Sequence, residues 1–248
     1  MYLKLEGLVL RETEYSDADK LLTVLTREHG KATLRARGVR RKNSPLRGAC
    51  QLLTYAEFTV FEYRGFSTIN EAEPKEMFMG LRSDLELLSL ASYFAQVAEV
   101  VSQEDSPNGQ LLSLTLNSLY ALSSLRRPQN LVKAAFELRT ACLAGYEPTL
   151  DGCAVCGNQE PDRFNVSHGA LQCAGCESPE LDGLRLPVSP GSLAALRYLA
   201  FCDASRLFSF TVSGAAEKEL CDLTETYLLT QLERGFYTLD FYKSLLLT

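Results

Sequence analysis

Histidine is scarce in this chain, since only His29 and His168 occur among its 248 residues. One falls in a predicted hairpin turn and the other in a cysteine-rich segment, so neither has a partnered nucleophile or a second histidine at helical spacing. The triphosphate-binding loop Gly-x-x-x-x-Gly-Lys-Ser/Thr is also absent. These absences predict that the protein is not an enzyme. A nuclease using acidic pairs such as Asp17 and Asp19 is the weaker alternative, because surface loops commonly carry such pairs.

Long apolar runs are absent too. No stretch of about 18 apolar residues occurs, which argues against a membrane-spanning helix. Lys4 and Glu6 interrupt the region that would form the apolar part of an export signal. Four of the eight cysteines stand singly among apolar neighbours, as reduced thiols do: Cys50, Cys142, Cys202 and Cys221. The composition therefore predicts a globular, cytoplasmic protein with no membrane partner.

Positive charge is concentrated in one segment of an acidic chain. The formal net charge is -6, yet residues 27–47 contain eight basic residues and one acidic residue. Residues 1–75 carry a net charge of +3, and residues 76–248 carry -9. A basic patch on an otherwise acidic molecule indicates an anionic partner. Nucleic acid is the first candidate, because its backbone releases counterions when it is neutralised.

The chain divides by the period of its apolar residues. Up to Pro74, short alternating segments predict five strands, with a long loop after the third and a tight turn at Arg64-Gly65 between the last two. This arrangement fits an oligonucleotide-binding (OB) barrel, and an SH3-like barrel or a short sandwich fits nearly as well. Beyond Pro74 the spacing becomes helical. We predict an α+β protein with an OB-fold barrel at 1–75 and a mainly helical domain at 76–248.

Several residues mark predicted helix ends. Ser106-Pro107, a position near Pro128, and Ser189-Pro190 are predicted helix starts. Gly145 and Gly235 are predicted ends. The second domain is therefore expected to consist mainly of helices.

The predicted third strand carries a basic stripe. Successive side chains of a strand point to opposite faces, so Lys31, Thr33 and Arg35 share the outer face with Arg37. After Gly38 a loop adds further cations. The candidate DNA-binding residues are Lys31, Arg35, Arg37, Arg40, Arg41, Lys42 and Arg47. The alternative is a solvated strand face followed by a mobile charged loop.

Aromatic side chains are the second group that can contact a single strand, because bases stack on them. Most aromatic residues of the last two predicted strands lie in alternating apolar segments and are expected in the core. The candidates that remain for stacking are Tyr15, Tyr55 and Tyr63.

Four cysteines have the spacing of a zinc ribbon. Cys153 and Cys156 form one Cys-x-x-Cys pair, Cys173 and Cys176 form another, and sixteen residues separate the pairs. Four thiolates complete a tetrahedral Zn²⁺ site without an open position, so the predicted ion is structural. A disulfide or a redox-active dithiol is the alternative. An insert at 150–180 is too small to hold its own core, so we expect the ion to fold it.

The segment "GLVLRETEYSDADKLLTVLTREHGKATLRARGVRRKNSPLRGACQ", and above all "ARGVRRKNSPLRG", resembles the amino-terminal part of the bacterial RecO family of recombination mediators. The resemblance implies an OB barrel followed by a helical domain with a zinc-binding insert. It also implies a non-enzymatic role in DNA repair: binding single- and double-stranded DNA, annealing complementary strands, and acting with RecR to help RecA replace single-stranded-DNA-binding protein. It assigns DNA contact to the seven basic residues named above.

Two other functions stay open from the residues alone. One is a zinc-ribbon OB-fold module that binds RNA or associates with the ribosome. The other is an interaction scaffold in which the cations meet an acidic protein surface.

Overall fold

The computed structural model describes residues 1–63 and 65–247. Arg64, which belongs to the predicted tight turn, lies outside the described residues. The strands are β1 (Tyr2–Glu14), β2 (Lys20–Thr26), β3 (Lys31–Ala36), β4 (Tyr55–Tyr63), β5 (Phe66–Glu76), β6 (Arg163–Asn165), β7 (Ala170–Gln172) and β8 (Arg185–Pro187). The helices are α1 (Met79–Arg82), α2 (Leu85–Val101), α3 (Gly109–Ser123), α4 (Gln129–Leu143), α5 (Pro190–Phe201), α6 (Ala215–Gln231) and α7 (Tyr237–Leu245).

The chain forms two compact units. Met1–Leu125 and Phe236–Thr248 make up unit 1, which contains the barrel, α1 to α3 and α7. Arg126–Gly235 makes up unit 2, which contains the other helices and β6 to β8. The predicted domains 1–75 and 76–248 divide the chain differently, because the helices that follow the barrel belong to its unit.

The first five strands close into a barrel in the order β1-β2-β3-β5-β4. β1 pairs with β2 on one side and with β4 on the other, which completes the closure. All pairs are antiparallel except β3 with β5. This confirms the predicted five-stranded OB-like barrel, and closure removes the exposed sheet edges that a sandwich would keep.

Alternation of side chains builds the barrel core. Along β4, Ala56, Phe58 and Val60 are buried, while the residues between them are partly exposed. Leu22 and Val24 of β2 join the same core. Because each strand buries one face only, the outer face is free to carry polar side chains.

Helix starts in unit 1 depart from the prediction. β5 extends to Glu76, beyond the predicted change of period at Pro74. The helical segment that follows consists of α1 and α2, because Asp84 caps α2 by accepting from the N–H groups of Glu86 and Leu87. The helix predicted to begin at Ser106 begins instead at Gly109, since Asn108 accepts from the N–H of Leu111 at 3.2 Å.

Helices of unit 2 follow the prediction more closely. α4 is preceded by Pro128, and Ser189 caps α5 through a reciprocal hydrogen-bonding pair with Ser192. Between these helices lies a three-stranded sheet in the order β7-β6-β8. Within the described part of the chain, no helix is both long enough and apolar enough to cross a membrane.

Candidate nucleic-acid interface and metal centre

The third strand presents its cations as alternation predicts. Leu34 and Ala36 are buried in the barrel core. Lys31 and Arg35, at the intervening positions, are partly exposed on the outer face. The backbone period therefore separates charge from core over β3.

The segment between β3 and β4, residues 37–54, is called the basic loop below. It is a series of turns: the N–H groups of Arg41, Ser44 and Arg47 each donate to the carbonyl three residues earlier, at 3.1, 3.1 and 3.2 Å. Its apolar side chains join the barrel core: Val39, Leu46, Ala49 and Cys50. The loop is thus anchored along its length by burial, unlike the mobile loop of the alternative prediction.

Both ends of the basic loop are held as well. Asp19 Oδ1 accepts from the N–H of Gly38 at 2.8 Å. At the other end, the N–H of Leu52 donates to Glu12 Oε1 at 3.0 Å, and Arg82 Nη2 donates to the Leu52 carbonyl at 2.8 Å. These contacts fix where the loop leaves and rejoins the barrel.

Arg35 is held by a carboxylate of the barrel itself. Its Nε and Nη2 donate to Asp19 Oδ2 at 3.0 and 2.6 Å, and its guanidinium carbon lies 5.0 Å from the ring centre of Tyr15. The N–H of Gly38 and the guanidinium of Arg35 hold the pKa of Asp19 below its usual range. Arg35 therefore has a structural partner, although its side chain remains 37% exposed.

Two further predicted residues also have partners. Lys31 Nζ donates to the carbonyl of Glu99 at 3.1 Å. Arg40 lies 3.1 Å from a carboxylate oxygen of Glu14 and donates to the carbonyl of Ser16 at 3.2 Å. Both residues help to hold the barrel surface.

The other four predicted cations are exposed, and within the described residues none forms an ion pair with a carboxylate: Arg37, Arg41, Lys42 and Arg47. All four belong to the basic loop. The number of basic residues in the sequence did not distinguish among the seven. In the structure, three of them have hydrogen-bonding or ionic partners and four form no ion pair with a described carboxylate. The unpaired group retains its full charge for an external anion.

Exposed aromatic residues correct one expectation. Phe61 and Phe66, expected in the core, are exposed on the outside of the barrel. Because Phe58 is buried and Phe61 lies three positions further along β4, the two cannot share a face. That odd spacing is the signal the sequence analysis missed, and it also missed the exposed Tyr2.

The three tyrosines proposed for stacking differ in their surroundings. Tyr15 and Tyr63 are exposed. The hydroxyl of Tyr55 donates to a carboxylate oxygen of Glu6 at 2.7 Å. Tyr55 is therefore held against the barrel, whereas Tyr15 and Tyr63 keep exposed rings.

The four predicted metal ligands meet at one point. The sulfur atoms of Cys153, Cys156, Cys173 and Cys176 all lie within 4.8 Å of one another. Cys156 Sγ and Cys173 Sγ are 3.8 Å apart, which is about the edge of a sulfur tetrahedron around an ion with metal–sulfur bonds of about 2.3 Å. Four thiolates in this arrangement fit a metal ion.

Two tight turns bring these sulfur atoms together. The turns, residues 153–157 and 173–176, are called the cysteine knuckles below. The N–H of Gly157 donates to the Cys153 carbonyl at 2.8 Å, and Gly157 has a φ of +75°, a conformation that favours glycine. The N–H of Cys176 donates to the Cys173 carbonyl at 3.0 Å in the second turn. Asn158 Nδ2 also donates to Cys173 Sγ at 3.3 Å.

Among the four cysteines, the surroundings favour ionisation of Cys153 and oppose that of Cys176. Burial opposes ionisation of Cys153, but the backbone N–H groups of Cys156, Val155 and Cys173 outweigh it and lower the pKa of this thiol to about 6. The neighbouring Cys156 side chain and burial raise the pKa of Cys176 to about 12. A cation at the centre would favour the thiolate at every position.

The strands beside the knuckles have support besides an ion. The Phe164 and Tyr227 rings pack edge to face with centres 5.2 Å apart, and Gln231 Nε2 donates to the Val166 carbonyl at 2.9 Å. The insert therefore packs on α6 as well as gathering the four sulfurs, and its dependence on the ion stays a prediction. His168 lies 3.8 Å from a carboxylate oxygen of Asp182 and is not a member of the sulfur cluster.

Comparison with known proteins accounts for most of the chain. Residues 1–78 match the family model "Recombination protein O N terminal", and residues 82–240 match "Recombination protein O C terminal". The chain belongs to the RecO family. The match confirms the resemblance seen in the sequence.

Several RecO relatives align along nearly their whole length. The DNA repair protein RecO of Acetivibrio thermocellus is 35% identical over 246 residues, which covers 98% of this chain and 97% of that protein. The DNA repair protein RecO of Caldanaerobacter subterraneus is 32% identical over 241 residues, 97% of each chain. That of Bacillus subtilis is 31% identical over 228 residues, 92% of this chain and 88% of that protein.

Proposed function

We propose that this RecO-family chain is a non-enzymatic DNA repair and recombination mediator that binds single- and double-stranded DNA through its barrel. The observation that carries the proposal is the set of four exposed loop cations without carboxylate partners. A phosphate backbone neutralises such a group and releases counterions. The proposed interface comprises Lys31, Arg35, Arg37, Arg40, Arg41, Lys42 and Arg47. The first two lie on β3, and the other five lie in the basic loop.

Strand annealing is the activity that this surface supports. Two complementary strands repel each other through their backbones, and a surface that neutralises both lowers that repulsion. Contacts to phosphate do not depend on sequence, so the bases can search for their register while bound. No catalytic group is required for this step.

We also propose that the chain acts with RecR to help load RecA onto DNA coated by single-stranded-DNA-binding protein. Family membership supports these partners, and the relatives carry the name DNA repair protein. The four cysteines would hold a structural Zn²⁺ ion, which would keep the cysteine knuckles in shape and take no part in DNA contact. The cytoplasmic location stays a prediction.

The test replaces the four unpaired cations together, in the variant Arg37→Gln/Arg41→Gln/Lys42→Gln/Arg47→Gln. We expect affinity for single- and double-stranded DNA at about 0.1 M salt to fall on the order of 100-fold. The slope of log affinity against log salt for duplex DNA should fall by about 3 to 4, since each lost phosphate contact removes about 0.9. Gel-shift or anisotropy titration at several salt concentrations measures both quantities, and an annealing assay should lose rate in parallel.

A matched control removes four exposed cations of unit 2, in Arg126→Gln/Arg127→Gln/Arg206→Gln/Lys218→Gln. This control loses four positive charges, as the loop variant does. If it lost as much DNA affinity as the loop variant, overall charge and not the basic loop would govern binding. Unchanged affinity of the loop variant would overturn the proposal. Competition between single-stranded DNA and RNA of equal sequence tests the RNA-binding alternative, which a clear preference for RNA would favour.

A further inference from the structure

Four exposed aromatic side chains cluster on the outside of the barrel and are called the aromatic row below: Tyr2, Phe61, Tyr63 and Phe66, which are 65%, 40%, 58% and 71% exposed. The Tyr2 and Phe61 ring centres are 5.2 Å apart. Those of Phe61 and Tyr63 are 6.5 Å apart, with planes inclined by only 11°. Large rings rarely remain in water as a group without a binding role.

Strand register places this row beside the basic face of β3. Phe61 pairs with Tyr2 on one side and with Thr68 on the other, and Thr68 pairs in turn with Arg35. These four residues therefore form one line across β1, β4, β5 and β3. Neighbouring strands are about 4.8 Å apart, so the Cα atoms of Phe61 and Arg35 are separated by about 10 Å.

The row lies beside one of the two loops with which OB barrels bind oligonucleotides. Tyr63 and Phe66 flank the connection between β4 and β5, and Tyr15, against the Arg35 guanidinium, lies in the connection between β1 and β2. OB folds bind nucleic acid with these two loops and with the face of the second and third strands, the latter of which carries Arg35 in this chain. The arrangement thus combines ring faces with cations within the span of a few nucleotides.

The chemistry of the row favours bases over an apolar protein segment. Apart from the terminal Met1, the outward neighbours in the strand register are hydroxyl or charged residues and not aliphatic ones: Lys4, Thr59, Thr68 and the exposed Glu71. Of the nearby acids, Glu57 is paired with Lys4 at 3.0 Å. Exposed rings among polar neighbours suit planar bases that have their own polar edges.

We propose that the aromatic row stacks on unpaired bases of single-stranded DNA and so makes the barrel bind a single strand more tightly than a duplex. The inference rests on the proposed function, because the basic loop would hold the phosphates of the same strand. A duplex keeps its bases stacked inside and cannot use the row. Bases held apart on rings would remain open to pairing with an incoming complementary strand.

The test uses Phe61→Ala and the triple variant Tyr2→Ala/Phe61→Ala/Tyr63→Ala. We expect the triple variant to bind an oligo-dT strand on the order of 100-fold more weakly, since each of the three lost stacks costs about fivefold or more in affinity. Affinity for a hairpin duplex should stay within about twofold. The salt slope for oligo-dT should not change, because no phosphate contact is lost. Phe61→Tyr, which keeps the ring, should bind as the unmodified protein does.

The matched control is Tyr120→Ala, because Tyr120 is 48% exposed on α3 and outside the row. It should bind both DNAs normally, and circular dichroism of every variant should match the unmodified protein. Unchanged oligo-dT binding by the triple variant, or an equal loss for duplex and single strand, would overturn the inference while leaving the proposed function intact. If the unmodified protein bound neither DNA, the proposed function itself would fail.

Discussion

The basic loop and the cysteine knuckles are both irregular segments that carry the groups of a candidate site, but they are held in different ways. The basic loop buries Val39, Leu46 and Ala49 in the barrel core. In the first knuckle, Ala154 and Val155 are exposed, and Cys153 is the buried residue. The loop is therefore held by hydrophobic burial, whereas the knuckles are hydrogen-bonded turns whose four sulfurs could hold a metal ion.

This difference has an energetic consequence. Burying a leucine in a well-packed core contributes about 2 to 5 kcal/mol, judged by its replacement with alanine, and Leu46 holds the loop together with smaller apolar residues. A structural zinc ion contributes an apparent binding free energy of about 10 to 16 kcal/mol to a small site. The loop should thus present its cations without any ligand, whereas the knuckles should depend on a single ion.

The largest expected effect follows from removing two of the four sulfurs proposed to hold that ion. Cys156→Ser/Cys173→Ser should abolish binding of one Zn²⁺ per chain and leave residues 153–157 and 173–176 open to hydrogen exchange. The β6 and β7 strands should keep part of their protection, because Phe164 packs on Tyr227. Elemental analysis and exchange measured by mass spectrometry test these expectations.

Cys221→Ser is the control, because Cys221 lies outside the sulfur cluster. It should retain the ion and the exchange pattern. A double variant that still binds one Zn²⁺ per chain would show that the cluster is not the metal centre. Loss of DNA binding by the metal-free protein would contradict the separation of the two segments.

A smaller effect is expected in the barrel. Leu46→Ala should lower the free energy of unfolding by about 2 to 5 kcal/mol, since Leu46 is buried and its removal leaves a cavity. It should also weaken DNA binding, because the flanking cations lose their fixed positions. Denaturant unfolding and DNA titration measure the two effects. Leu46→Met, which nearly conserves volume, should cost less than about 1.5 kcal/mol, and an equal loss in both variants would contradict the packing argument.

Local patterns in the sequence predicted much of this architecture. Period-two alternation identified the barrel strands, and the Cys-x-x-Cys spacing identified the sulfur cluster, because both depend on residues close together in the chain. The helical character of the second half was also predicted from spacing. Helix starts were less accurate, since capping was decided by which nearby side chain reached the free N–H groups, as at Asn108.

Pairings between distant residues could not be predicted. Nothing local indicates that Arg35 binds Asp19, sixteen positions away, or that Arg40 binds Glu14. These contacts arise only when β1, β2 and β3 are assembled. Charge counting therefore located the basic segment but could not separate its four unpaired cations from those that stabilise the barrel.

The smallest expected effect tests one of those pairings. Because Gly38 and Arg35 lower the pKa of Asp19 in the folded state, its carboxylate stabilises the fold at pH values above its ordinary pKa of about 3.9. That contribution is lost as the pH falls through the folded pKa. Asp19→Asn should therefore lower Tm at pH 7 and make little difference near pH 2, with the gap closing below about pH 4. Asp17→Asn, at an exposed neighbouring position, should show no such gap, and a gap for Asp19→Asn that stayed constant with pH would contradict the assigned charge pairing.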